Sequence, residues 1–120
     1  MGHVTGIGGI FFRARDPEAL ASWYETHLGV TPVPTGSDTA PWSTAAGTTV
    51  FAPFAADTDY FPAERQFMVN FRVRDLDGLL AELATAGIEA TRREEMAGIG
   101  RFARIADPEG NPVELWEPAG

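Results

Sequence analysis

The chain has 120 residues, of which 44% are hydrophobic, enough for one globular domain with a real core. Seventeen Asp and Glu against nine Arg and no Lys give a formal net charge of −8, and a molecule of that sign repels nucleic acid and anionic membrane surfaces. The absence of Cys excludes disulfides, thiolate nucleophiles and sulfur-ligated metals, which suits a reducing cytoplasm.

The opening M-G-H-V-T-G has no basic segment leading into an apolar one, and no run approaches the ~18 apolar residues of a membrane span. The expectation is a soluble cytoplasmic protein. Residues 7–14 are apolar and β-rich, predicting a strand, after which Asp16, Pro17 and Glu18 supply an N-cap, a proline for the first helical position and an acid for the first turn. Leu20, Trp23, Tyr24 and Leu28 recur at helical spacing before Gly29, predicting a helix over 17–28. Short β pieces are expected over 42–44 and 48–54. Residues 55–65 (A-A-D-T-D-Y-F-P-A-E-R) show no period and read as a surface linker, with Tyr60 and Phe61 as lid residues. A strand over 66–73 follows, then Asp75 as a cap and Leu76, Leu79, Leu80 and Leu83 as a helical stripe ending before Gly87. Strands are expected over 88–91, 100–106 and 112–116. The intervening D-P-E-G-N, 107–111, carries the Pro, Gly and Asn of a hairpin turn.

The chain also repeats itself. Residues 9–16 read G-I-F-F-R-A-R-D and residues 68–75 read M-V-N-F-R-V-R-D, so Phe12, Arg13, Arg15 and Asp16 recur as Phe71, Arg72, Arg74 and Asp75. Two copies of one strand, helix, strands unit are implied, each too small to bury a core alone. The organisation read from this is a single domain over 1–120, with module one at 1–54, the linker at 55–65 and module two at 66–120.

Strand alternation sorts the side chains by face. Ile10, Phe12 and Ala14, and likewise Val69, Phe71 and Val73, belong under the helices, leaving Phe11, Arg13, Met68, Asn70 and Arg72 on the opposite face. Val113 and Leu115 suit the covered side, which turns Glu114 and Trp116 toward Arg72. Arginine on the inner face of a sheet needs an acceptor. Either a carboxylate such as Glu114 satisfies it, or it anchors an anionic or carbonyl-bearing ligand. Glu114 has three roles open to it: metal ligand, general base or arginine counter-ion, of which the sequence favours the last.

The segments F-F-R-A-R-D-P-E-A-L-A-S-W-Y-E-T-H-L-G-V, N-F-R-V-R-D-L-D-G-L-L-A-E-L-A-T-A-G-I and D-P-E-G-N-P-V-E-L-W-E-P resemble the vicinal oxygen chelate superfamily, which groups glyoxalases, bleomycin-resistance proteins and extradiol dioxygenases. The resemblance implies an α+β fold in which two tandem βαβββ modules form a curved mixed sheet around a concave pocket, usually in a homodimer. It also implies a divalent metal held by a His at the start of each module and a Glu near the end of each. In this chain the His positions fall on Gly9 and Met68, and one Glu position on Thr49; only Glu114 remains. A single carboxylate does not hold a catalytic ion against water. His3 and His27 lack a spacing that would let them converge on an ion.

A nucleophile elbow and a phosphate loop are both missing. The sequence therefore points to a binder of a small aromatic or carboxylated molecule in a metal-independent pocket built from Phe11, Arg13, Thr49, Phe51, Met68, Asn70, Arg72, Glu114 and Trp116. No cofactor is expected. Two alternatives stand beside it: a lyase, isomerase or dioxygenase-type enzyme using Glu114 as base or metal ligand, and a non-catalytic dimerising module.

Overall fold

The computed structural model describes residues 2–120. Helix α1 covers Pro17–Leu28, strand β1 Val69–Arg72, helix α2 Leu76–Thr85, and strands β2, β3 and β4 Arg92–Met96, Gly100–Ala106 and Pro112–Pro118. The four strands form one curved, open, mixed sheet in the order β1-β4-β3-β2, with β1 parallel to β4 and the other pairs antiparallel.

Both helices begin as their sequences dictate. Asp16 accepts from the amide of Ala19 at 3.2 Å and Asp75 from that of Gly78 at 3.1 Å, filling donors that the first helical turn leaves free. Asp75 takes a left-handed conformation, φ 59°, and its carboxylate lies so close to Gly78 that a β-carbon there would collide with it. Helix α1 ends on Gly29 at φ 70°, whose amide donates to the carbonyls of Glu25 and Tyr24.

The core lies on one side of the sheet. Ala103, Ile105, Val113 and Leu115 face Leu76, Leu80 and Leu83 of α2, with Trp23, Tyr24 and Leu28 of α1 and Phe71 and Val73 packed against them. Burying each such large aliphatic side chain contributes roughly 1.5–3 kcal/mol. The 107–111 turn forms as expected and is tied to this core. Buried Asp107 accepts from the amides of Glu109 and Asn111 at 2.9 and 3.0 Å, from the Asn111 side chain at 2.7 Å and from the Tyr24 hydroxyl at 2.7 Å. Burial, then that hydrogen bond and the neighbouring charge, drive the Tyr24 phenol well above its ordinary pKa. Glu109 extends from the same turn to accept from the amides of Arg15 and Asp16 at 2.7 and 3.0 Å. Helix α1 is thus fastened to the second half of the chain.

Several expected strands do not form. Residues 7–14, 42–44 and 48–54 carry no ladder, and the second strand of the second half lies at Arg92–Met96 instead of 88–91. A strand exists only by pairing, and among the described residues the first-half segments have no paired neighbour. Their side chains stay in water: Phe11 is 94% and Phe51 85% exposed. Residues 88–91 were misread because Ile88 and Ala90 pack on the core, whereas R-R-E-E-M reads as polar although it pairs in full with β3.

Candidate functional site

Pairing registers arrange the uncovered face of the sheet in two rows. Asn70, Glu114, Arg104 and Arg92 lie opposite one another across all four strands, and Arg72, Trp116, Phe102 and Glu94 form the next row. The first row is polar; the second has an aromatic centre. The rings of Phe102 and Trp116 are nearly parallel, 4° apart in plane with centroids at 6.1 Å, and the Trp116 indole is anchored by donating to the carbonyl of Ile99 at 3.0 Å.

Glu114 is 8% exposed, and a carboxylate at that depth needs donors. They are neutral ones. Asn70 Nδ2 donates to Oε1 at 2.8 Å and the Tyr60 hydroxyl to Oε2 at 2.5 Å. Among the described residues no cationic side chain comes within 4.0 Å of it, which corrects the counter-ion expectation. The arginine opposite, Arg104, turns its Nη2 to the backbone carbonyl of Tyr60 at 2.8 Å, and its Nε is buried without a partner.

Tyr60 comes from the linker and lies over this row. Arg92 and Arg104 place their guanidinium carbons 4.6 and 5.0 Å from its ring centroid, within cation–π range. Phe54 stacks on its ring at 5.6 Å and meets Phe61 edge-on at 5.7 Å. The phenol's pKa is raised, by burial first and then by the hydrogen bond to Glu114 and the charges of Glu114 and Glu94, against an opposing pull from Arg104. It remains a neutral donor.

The expected site residues divide in two. Asn70, Arg72, Glu114 and Trp116 share the uncovered face, and Met68 is half-buried immediately before β1. Arg72 is held by the carbonyls of Ala45 and Ala46 at 2.8 and 3.3 Å, against Gly47, where any β-carbon would collide with the guanidinium. Phe11, Arg13, Thr49 and Phe51 are exposed and lie outside these rows. Phe102, Arg104, Arg92 and Glu94 were missed. For the first two the signal was present, since counting outward from the 107–111 turn sets Arg104 against Glu114 and Phe102 against Trp116.

Among the described residues no group of three or more His, Asp or Glu converges to hold a metal ion, and no helix is long and apolar enough to cross a membrane.

A four-stranded mixed sheet with helices on one side and a polar and aromatic opposite face defines a class of α+β protein with known members. Residues 9–116 match the glyoxalase-like domain family, and the chain belongs to it, within the vicinal oxygen chelate superfamily that its motifs resemble. A glyoxylase/bleomycin resistance protein/dioxygenase domain from Frankia sp. EAN1pec is 19% identical, with a TM-score of 0.64 over 98% of this chain and 100% of its own. TnmS3, an antibiotic binding protein from Streptomyces sp. CB03234, is 21% identical over 98% and 100%, with a TM-score of 0.57. A glyoxalase family protein from Enterococcus faecalis, 28% identical with a TM-score of 0.42, matches 53% of this chain, which spans only 52% of that protein's length. No curated protein matches the chain.

Proposed function

We propose that the chain binds a small aromatic organic molecule on the uncovered sheet face, and does so without a metal. One observation carries this reading: the stacked Phe102 and Trp116 pair lies beside a buried carboxylate and a guanidinium with a buried, unpartnered Nε, an apolar wall with a few convergent polar groups, as ligand sites are built. The antibiotic-binding role of TnmS3, which shares the fold, supports a small organic guest. A divalent ion of the kind the family resemblance implies fits these residues poorly. Glu114 is the sole carboxylate of its row, both its oxygens are engaged by Asn70 and Tyr60, and Arg104 stands opposite; hard divalent ions take several oxygen ligands.

The test is a thermal-shift screen of aromatic and carboxylated compounds against the intact chain, repeated with Glu114→Gln and Trp116→Leu. Hits whose affinity falls at least about tenfold in both variants, roughly 1.4 kcal/mol, fit the proposal. Hits indifferent to both variants, or stoichiometric metal in protein purified without chelator, would sink it.

We further infer that two copies of the chain assemble. Strand β1 pairs only with β4, leaving its other edge open, and Ile10, Phe11, Phe12, Val50, Phe51 and Phe67 are all more than half exposed. An open edge beside uncovered apolar residues invites pairing with another chain. Residues 10–13, the counterpart of β1 in the repeat, are suited to that edge, and a second copy would bring Phe11 and Arg13 toward Asn70 and Arg72. Sedimentation equilibrium should report a dimer at micromolar concentration; a monomer at 100-fold higher concentration would end this inference.

A further inference from the structure

Tyr60 engages the polar row of the proposed site in three ways. Its hydroxyl donates to buried Glu114, its ring lies against the guanidinium groups of Arg92 and Arg104, and its carbonyl accepts a hydrogen bond from Arg104 Nη2. The crevice lined by Tyr60, Arg92, Glu94, Phe102, Arg104 and Glu114 has no room left for a water molecule. Yet Tyr60 does not belong to the sheet. It sits in 55–65, a stretch of turns and bends without helix or strand, tied locally by the Thr58 amide to the Ala55 carbonyl at 3.0 Å, the Tyr60 amide to the Thr58 hydroxyl at 3.2 Å and the Arg65 amide to the Pro62 carbonyl at 3.0 Å. Two bonds from Arg65, to Asn111 and to the carbonyl of Glu109, both 2.9 Å, pin the far end of the segment to the hairpin turn. The linker is thus anchored at Arg65, while Tyr60 is held on the sheet chiefly through its own phenol ring and carbonyl.

A side chain of this kind is a competitor for the groups it occupies. A buried carboxylate that accepts from a phenol, beneath two cations set against the ring, is complementary to any molecule carrying a hydroxylated aromatic ring. We propose that Tyr60 occupies the ligand's seat, so that the ligand is a phenol-bearing aromatic molecule and the 55–65 segment swings out, hinged on Arg65, when it binds. This rests on the reading of the uncovered face as the binding site. While Tyr60 occupies the seat as a strap, it lowers the apparent affinity of the intact chain in proportion to the fraction of molecules in which the seat is free.

The probe is p-cresol, the tyrosine side chain as a free molecule, with 4-methylanisole as a control of similar shape that cannot donate a hydrogen bond. At pH 7 p-cresol is neutral. Ligand-observed NMR titration should show Tyr60→Ala binding p-cresol at least about tenfold more tightly than the intact chain, a gain of roughly 1.4 kcal/mol. Adding Glu114→Gln to Tyr60→Ala should remove most of that gain, and 4-methylanisole should show little of it. In the intact chain, saturating p-cresol should speed amide hydrogen exchange in 57–61 and leave β3 and β4 unchanged. Equal gains for p-cresol and 4-methylanisole, or exchange in 57–61 that stays the same or slows, would overturn the proposal. If the screen of the preceding section yields a ligand sensitive to Glu114→Gln and Trp116→Leu but indifferent to Tyr60→Ala, the binding reading stands and the strap alone falls. If no compound binds the face in either form, both fall together.

Discussion

Residues 9–16 and 68–75 share four of eight residues, yet only the second contributes a strand to the sheet. Val69–Arg72 lies beside β4 and pairs with it from Val113 to Trp116, whereas residues 10–13 have no neighbour within the chain and leave Phe11 and Phe12 in water. Local propensity for a strand is present in both; the partner is not. Strand formation is therefore a property of the pair, and a sequence repeat transmits the capacity for a strand without the strand itself. Helix behaves differently. Pro17–Leu28 folds in the same half of the chain that lacks strands, because its backbone bonds close within the segment and its caps are local.

The contrast is sharpest between matched core positions. Leu115 is fully buried, and Val50, its counterpart when Thr49 is set against Glu114, is 68% exposed. Leu115→Ala should cost about 2–5 kcal/mol in urea unfolding, while Val50→Ala should stay within about 0.5 kcal/mol for the isolated chain. Should Val50→Ala prove costly, and more so at high protein concentration, the first half is covered by a second copy, and the disparity belongs to the lone chain only.

A smaller effect probes the joint between the halves. Tyr24→Phe removes the donor to buried Asp107 and should destabilise by about 1–3 kcal/mol. Because the folded state holds the Tyr24 phenol above its ordinary value, this contribution is complete below pH ~10 and declines as pH rises beyond it, where the unfolded chain loses its proton first. Stability followed into alkali should therefore fall in the parent and fall less steeply in Tyr24→Phe. Parallel curves would show that Tyr24 does not link α1 to the turn.

The smallest change is expected from Glu109. The amides of Asp16 and then Arg15 lower its carboxyl pKa, so its contribution is present above the ordinary carboxylate range and is lost as pH falls through the folded-state value. Glu109→Gln should lower the melting temperature slightly at neutral pH, where that contribution is present, and flatten the acid limb of a thermal-denaturation series. An unaltered acid limb would mean that α1 is held by Tyr24 and its apolar face alone.

Much of the second half was legible. The alternation of Val113, Leu115 and Trp116 about Glu114, the stripe Leu76, Leu79, Leu80 and Leu83, and the D-P-E-G-N turn each express a periodicity that backbone geometry enforces. The site was legible only along β1 and β4. Glu94 and Arg92 were hidden because β2 is an edge strand whose polar side chains give no apolar alternation, and the partners of Glu114 were misjudged because opposite charge suggested arginine where two neutral donors arrived first.

By itself the sequence determined the helices, the hairpin and the side of the sheet on which Glu114 stands, since these follow from local periodicity and capping chemistry, while the family was legible only as a resemblance of its motifs. Only the tertiary structure decided that residues 9–13 stay unpaired, that α1 joins the second half, and that a linker tyrosine, not an arginine, lies on Glu114. Those outcomes depend on which distant groups reach one another in space, and the spacing of residues along a chain does not encode that distance.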